Sequence, residues 1–219
     1  MALPRPGALI FDLDGTLVDT VEVRIAAWLR TFAEFRIPAA RADVARLIGS
    51  DGKRLARTVA RAAGVALDME GAEAIDRRAG DIYSELNVNP QPLPGARELL
   101  DALNKRGLPW AIATSSRRDQ VGASIEALNL SSRPTVVDGS HVEHAKPEPD
   151  LLLYAAAELG VEPSRVWYVG DSIWDMEAAV KAEMAPIGVV TGSATAEELK
   201  ASGAGMTVDN LRQLLPLVT

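Results

Sequence analysis

Ala8-Leu9-Ile10-Phe11-Asp12-Leu13-Asp14-Gly15-Thr16 is the stretch on which the reading of the whole chain turns. Four apolar residues in succession, broken off by two carboxylates and a glycine, predict a buried strand that ends in a polar turn. Gly15 lets the chain turn sharply at that point. Beyond it the apolar residues change period. Val21, Ile25, Trp28, Leu29, Phe32 and Phe35 follow helical spacing until Pro38 ends the pattern. Trp28, Phe32 and Phe35 share one face and are expected to form helical core.

Further helices are predicted at 41–48, 53–63 and 70–86, with no strand-like run between them. The segment 87–95, Asn-Val-Asn-Pro-Gln-Pro-Leu-Pro-Gly, reads as a linker stiffened by its prolines. From Ala96 onward, helices (96–105, 119–128, 149–159, 173–183) alternate with apolar strands (110–113, 135–137, 166–169, 186–190). A last helix–strand–helix passage occupies 196–215. Such alternation implies an α/β fold with a parallel sheet and helices on both faces. The expected organisation is a core of residues 1–19 and 91–219, interrupted after its first strand by an all-helical unit of residues 20–90.

The bulk composition narrows the function. The 219 residues include 47% hydrophobic and 24% charged side chains, as expected of a packed globular protein. A formal net charge of −7 argues against a nucleic-acid binder, which carries a basic face. The chain has no cysteine, which excludes disulfides, thiolate nucleophiles and cysteine-held zinc. Any metal must be held by oxygen or imidazole. Residues 1–7 lack the apolar core of a secretory signal, and no apolar run reaches the ~18 residues of a membrane span. The expectation is a soluble, cytoplasmic protein with no membrane partner.

In open parallel sheets ligands bind beyond the carboxyl ends of the strands, so the residues after each apolar run carry the chemistry. They are Asp12 and Asp14 after the first strand, Thr114-Ser115-Ser116 after the second, and Gly170-Asp171-Ser172 with Asp175 after the strand at 166–169. Lys146, in Ala145-Lys146-Pro147-Glu148-Pro149, precedes a helix. Several carboxylates gathered at one edge repel one another unless a cation neutralises them, and oxygen-only ligands favour Mg2+. A magnesium ion, a lysine, a hydroxyl and backbone amides are what a phosphoryl group needs. One carboxylate can attack phosphorus, and a second, two residues on, can exchange protons with the leaving group and with water.

Together these residues resemble the haloacid dehalogenase-like superfamily, through Asp12-Leu13-Asp14-Gly15-Thr16-Leu17-Val18-Asp19, Thr114, Lys146 in Lys-Pro-Glu-Pro-Asp, and Gly170-Asp171-Ser172 with Asp175. The motifs occur in order across essentially the whole chain, and the phosphoglycolate phosphatase-like branch, with a helical cap inserted after the first motif, is the most similar group. The resemblance implies a Rossmann-like core and a magnesium-dependent phosphatase acting on a small phosphorylated metabolite. It implies Asp12 as nucleophile, Asp14 as general acid and base, and Thr114 and Ser115 as phosphate ligands, with Lys146 bridging nucleophile and phosphate. Asp12, the Asp14 carbonyl, Asp171 and Asp175 are the implied metal ligands, Asp175 alternatively orienting a bound water. The cap loop 46–54 stands where related caps touch substrate, which makes Lys53 and Arg54 candidates for an anionic substrate.

The resemblance also bears on related chemistries. Dehalogenases and phosphonatases lack the acid found here as Asp14. The β-phosphoglucomutase type carries a histidine where this chain has Arg24. A phospho-accepting signalling module would need neither Asp14 nor a cap, and nothing in the motifs suggests a catalytically silent relative. His141 and His144 read as loop or surface residues, and Asp19 and Thr20 as shaping the turn into the cap. The 90–94 segment and the residues after Thr16 are the expected hinges. These motifs leave open phosphoglycolate, sugar phosphates, nucleotides and pyrophosphate as substrates, and leave the oligomeric state unassigned.

Overall fold

The computed structural model describes residues 4–218, so residues 1–3 of the leading segment and Thr219 lie outside the described residues. In chain order the elements begin with β1 (Ala8–Phe11), β2 (Val18–Asp19), α1 (Val21–Glu34), α2 (Arg41–Ala45), α3 (Gly52–Ala62) and α4 (Met69–Leu86). They continue with β3 (Gln91–Pro92), α5 (Ala96–Arg106), β4 (Trp110–Ala113), α6 (Gly122–Ala127), β5 (Thr135–Val137) and α7 (Asp150–Leu159). The chain finishes with β6 (Val166–Gly170), α8 (Ile173–Lys181), β7 (Ala185–Val189), α9 (Ala196–Ala201), β8 (Met206–Val208) and α10 (Leu215–Val218).

Six strands make a parallel sheet in the order β5-β4-β1-β6-β7-β8. β1 is central, as its unbroken apolar run requires, and all four of its residues are buried. Because side chains alternate across a strand, β1 divides itself between two cores. Leu9 and Phe11 join Leu99, Leu100 and Leu103 of α5 and Trp167 and Val169 of β6 on one face. Ala8 and Ile10 join Leu151, Leu152 and Ala155 of α7 and Val166 and Tyr168 of β6 on the other. Each fully buried leucine or isoleucine contributes roughly 2 kcal/mol to this packing.

Helices α1 to α4 enclose a third cluster built on Ile25, Trp28, Phe32, Leu55, Val59 and Ile75. Trp174 of α8 enters that cluster from the sheet side, and its indole N–H donates to the Arg46 carbonyl at 3.1 Å. Phe35 does not join it and is 42% exposed. The helix stops at Glu34 and Arg36 takes φ 57°, so the chain leaves the apolar face at Phe35.

Two further expectations change. The 87–95 segment is more than a linker: β3 pairs antiparallel with β2, Val18 opposite Pro92 and Asp19 opposite Gln91. The two connections to the helices leave the sheet side by side and satisfy each other's backbone groups. A two-stranded ribbon has only edges, so it tolerates Pro92. The helices expected at 41–48 and 119–128 are shorter, Arg41–Ala45 and Gly122–Ala127. Turns at Leu47–Ser50 and Arg117–Gln120 replace the missing ends, and both face the space above the sheet.

Candidate active site

Since β1 lies between β4 and β6, the ends of all three strands stand next to one another. Asp12 follows β1, Thr114 follows β4 and Asp171 follows β6. Lys146 arrives from the loop between β5 and α7 and is completely buried. Its ammonium group donates to Asp12 Oδ1 at 2.6 Å and to Asp175 Oδ1 at 2.7 Å. Tyr168 Oη, 3.4 Å away, donates to the same Asp175 oxygen at 2.8 Å.

Asp175 also builds the helix on which it stands. Its Oδ2 accepts from the Ser172 N–H at 3.0 Å and the Ser172 hydroxyl at 2.5 Å, a capping box at the start of α8. Both of its oxygens are therefore occupied. Asp171 accepts a 2.8 Å bond from Thr16 on Oδ1. Its Oδ2 lies between two glycines: a Cβ at Gly15 would come within 2.5 Å of it and one at Gly192 within 1.8 Å. No other residue fits at either position without moving the carboxylate.

Carboxylate oxygens of Asp12, Asp171 and Asp175 fall within 4.8 Å of one another. Three acids against one lysine leave excess negative charge in a dry site, and the carboxyl groups respond. Burial pushes Asp12 up to about 7; Lys146 opposes the rise, while Asp175 and Asp14 add to it. Burial, then Asp175 and Asp12, hold Asp171 well above the usual carboxylate range. For Lys146 burial disfavours the charge, but Asp12 and Asp175 outweigh it and keep the ammonium protonated. An all-oxygen donor set with surplus negative charge fits a hard divalent cation such as magnesium.

Asp14 sits differently. Its Oδ1 accepts from Thr20 Oγ1 at 2.7 Å and Tyr83 Oη at 2.9 Å, its Oδ2 from Arg24 Nη2 at 2.8 Å and Ser116 Oγ at 2.7 Å. Burial would raise this group, but the Arg24 charge and the bonds from Thr20, Ser116 and Arg24 hold it below the usual carboxylate range. Arg24 is itself fixed by Ser116 Oγ at 2.5 Å, by Gln120 Oε1 at 3.2 Å and by the Tyr83 ring, whose centroid is 3.3 Å away. Asn87 supports Tyr83 from behind, donating to its Oη at 2.9 Å and to Ser124 Oγ at 3.1 Å.

Asp12, Asp14, Thr114, Ser115 and Lys146 thus line one chamber between the sheet edge and the helices, as the sequence leads one to expect. Thr114 Oγ1 accepts from the Ser116 N–H at 3.1 Å, which leaves its own proton free to donate. Ser115 donates to the Gly49 carbonyl at 3.3 Å, joining the loop after β4 to the helices at residues 20–90. Lys53 and Arg54 are not in the chamber. Arg54 lines an outer groove; Lys53 lines both that groove and a smaller cavity bordered by the chamber residues Gly52, Asp76, Ser115 and Gln120, and the chamber itself takes Gly49, Ser50 and Gly52 from the same loop. Trp28 serves both the helical core and the chamber wall. His141 is a loop residue stacked near Tyr154, and His144 is exposed. Thr20 does more than shape a turn, through its bond to Asp14.

Sequence reasoning missed Tyr83, Gln120 and Asp76 as chamber residues or their direct supports, named Ser116 only as a strand-end residue without a role, and noted Arg24 only as the position of a mutase histidine. One signal was available. Arg24 falls three residues after Val21 and four before Trp28, a lone cation on the apolar face of α1.

Comparison with known proteins gives a consistent result. A family model described as Haloacid dehalogenase-like hydrolase matches residues 9–189. An N-acetylmuramic acid 6-phosphate phosphatase from Pseudomonas aeruginosa is 34% identical over 98% of this chain and 95% of its own length. A phosphoglycolate phosphatase from Pseudomonas putida is 32% identical, covering 96% and 79%. The crystal structure of a hydrolase from Pseudomonas syringae superposes with a TM-score of 0.91 at 35% identity, over 95% of this chain and 96% of that one. Among the described residues no helix is long and apolar enough to cross a membrane.

Proposed function

The chain belongs to the haloacid dehalogenase-like hydrolases and is a phosphatase of that family, and from this premise we propose that it hydrolyses a small phosphomonoester through a phosphorylated Asp12, with magnesium as cofactor. The observation that carries the reading is the convergence of Asp12, Thr114 and Asp171 at the ends of adjacent strands, with Lys146 reaching Asp12 from the loop between β5 and α7.

Asp12 Oδ1 is held by Lys146, which leaves Oδ2 to attack phosphorus. The P–O bond to the leaving group breaks as the acyl phosphate forms, and water then cleaves that acyl phosphate to release orthophosphate. Thr114 and the backbone of Ser115 hold the phosphoryl oxygens, and Lys146 offsets their charge. Asp12 and Asp171 supply carboxylate ligands to the magnesium, joined by the Asp14 carbonyl on the strength of the family resemblance. Asp175 belongs to the same cluster, and with both oxygens engaged it acts chiefly by holding Lys146. Bound there, magnesium neutralises the gathered carboxylates and the charge of the transferring phosphoryl group.

Asp14 protonates the leaving oxygen in the first step and takes a proton from water in the second. With four donors around it, Asp14 is set as an acceptor, so a donor must withdraw before it carries a proton. Arg24 and Tyr83 both stand on the helical unit of residues 20–90, which we assign as a mobile cap over a core of residues 1–19 and 91–219. The β2–β3 ribbon is its hinge. Cap opening frees Asp14 to take up its proton and admits substrate; closure over the bound ester then excludes water, with the leaving oxygen in the place of a withdrawn donor. Small-angle scattering is expected to show compaction when magnesium and a substrate analogue are added; an unchanged profile removes the hinge.

The named relatives act on N-acetylmuramic acid 6-phosphate and on phosphoglycolate, so both head the substrate panel. Phosphate release is measured for a set of small esters, with and without magnesium, for the wild type and Asp12→Asn. Magnesium-dependent turnover lost in the variant is the expected result. Stable phosphorylation of Asp12 by a small phosphodonor, with no ester hydrolysed, would move the assignment to a phosphomutase or a phospho-accepting module.

A further inference from the structure

Helix α3 concentrates unpaired positive charge as its neighbours do not. Its sequence, Gly52-Lys53-Arg54-Leu55-Ala56-Arg57-Thr58-Val59-Ala60-Arg61-Ala62, carries four cations and no acid, in a chain whose net charge is −7. Lys53 and Arg54 stand in the first turn, where the helix dipole favours negative charge. Lys53 and Arg57, and again Arg57 and Arg61, are four residues apart, the spacing at which like charges repel.

On the adjacent helices the arginines are matched. Arg30 of α1 pairs with Glu34 and Glu85, and Arg77 and Arg78 of α4 with Glu73, Glu34 and Glu85. Among the described residues none of the four α3 cations forms an ion pair. Arg54 lies over the Trp174 ring, 4.8 Å from its centroid, and Arg57 reaches only the Met69 sulfur at 3.3 Å. Asp51 caps the helix, but accepts from the Arg54 backbone N–H and not from a cationic side chain.

All four cations line the outer groove, a space of about 600 Å³, within the range of small-molecule sites. Its far wall is the loop 143–148, where Glu148 is held by Lys181 at 2.8 Å. The groove is divided from the catalytic chamber by a seam in which the Asp51 N–H donates to the Lys146 carbonyl at 2.9 Å. Asp76 near Lys53 and the lining acids Asp51 and Glu143 offset part of this charge without an ion pair. A row that breaks a local rule with so little pairing is expected to be completed by a ligand.

We propose that this groove is a second anion site, shaped for a linear oligophosphate lying along α3. From Lys53 to Arg61 the row extends about 12 Å at the rise of an α-helix. A single phosphate or carboxylate satisfies one member of such a row, whereas a chain of two or three phosphates meets several. Guanidinium groups match phosphate oxygens two at a time, which suits a row made mostly of arginine. Glu143 on the far wall keeps the ligand against the helix. No residue assigned to catalysis lines the groove itself, although at its Lys53 end it adjoins a smaller cavity that Ser115 also lines.

Calorimetric titration of the full chain with inorganic tripolyphosphate, in magnesium-free buffer at low salt, tests it. One anion per chain is expected, with affinity falling as salt is raised. The double substitution Arg57→Ala/Arg61→Ala is expected to weaken binding about tenfold or more. Both residues are exposed, so its melting temperature is expected to stay within ~2 °C of wild type, which separates lost binding from lost folding. Thr114→Val, altered only in the chamber, is expected to bind as wild type does. Absence of binding, binding that survives the double substitution, or binding lost in Thr114→Val overturns the proposal, the last by placing the anion in the chamber.

Discussion

Asp12 and Asp14 are two residues apart, the first buried and the second slightly more open, and in opposite chemical surroundings. Around Asp12 the sheet edge gathers Asp171 and Asp175 with a single lysine, and burial lifts the carboxyl to about 7. Around Asp14 the helical unit brings an arginine and two hydroxyls, the loop after β4 brings a third, and the carboxyl is held low. Burial raises both, so the difference comes from the partners. The Asp12 side has more acids than donors and is completed only by a cation from outside. The Asp14 side is already complete and must be opened to work.

The largest expected effects test that division of labour. Asp12→Asn removes the nucleophile and lowers kcat by at least ~10³-fold, with no phosphoenzyme. Asp14→Asn leaves the nucleophile and lowers kcat by about 10²- to 10⁴-fold. With an activated aryl phosphate, which needs little protonation to leave, it is expected to accumulate phosphorylated Asp12 in acid-quench experiments. Equal phosphoenzyme levels in the two variants would erase the distinction between the residues.

Arg24→Gln sharpens it. Losing the cation raises the Asp14 pKa, so fewer molecules carry the ionised base at a given acidic pH. The acidic limb of the kcat profile is therefore expected to move to higher pH by about one unit, with a loss approaching tenfold only on the limb itself and little change above about pH 6. Arg24→Lys, which keeps the charge, is expected to restore much of the limb. A profile that does not move in Arg24→Gln shows that Thr20, Ser116 and Tyr83 suffice.

The two acids are also expected to tilt stability in opposite directions. Asp12 has a folded pKa above its unfolded one, so the metal-free fold binds the extra proton and loses stability as pH rises from about 4 to 7. Asp14 has a depressed pKa, and its contribution is present above the unfolded value and lost as pH falls. In chelator, the melting temperature of the wild type relative to Asp12→Asn is expected to fall between pH 4 and 7.5. Relative to Asp14→Asn it is expected to rise between pH 2.5 and 5. About 1 kcal/mol in either case corresponds to ~2–4 °C at this chain length. Parallel curves would contradict the assigned environments. The smallest effect is expected for Asn87→Ala, which removes the support behind Tyr83: about 1 kcal/mol of stability and less than a threefold change in kcat.

Much of this site was legible because it follows strands. Asp12, Thr114 and Asp171 each end an apolar run, and Gly15 announces the turn that folds over Asp171. Asp175 was visible as the fourth member of Ser172-Ile173-Trp174-Asp175, a capping-box spacing, but its bond to Lys146 joins residues 29 apart. Arg24 and Tyr83 were harder, being separated from Asp14 in sequence and carried on amphipathic helices whose rotation no local pattern sets. Lys53 and Arg54 were placed by loop position alone; α3 sets Arg54 in the outer groove and Lys53 between that groove and the cavity lined by Ser115.

The sequence by itself determined the α/β architecture, the helical insertion and the residues at the strand ends. Those features follow from local periodicity and from turns a few residues long, within which a side chain's direction is nearly settled by its position. Only the tertiary structure decided that 87–95 pairs with 18–19, that Asp14 is saturated by donors from two sides, and that the α3 cations line a groove of their own. Each depends on how separate elements dock, and docking is governed by the packing of whole faces, which no short window of sequence contains.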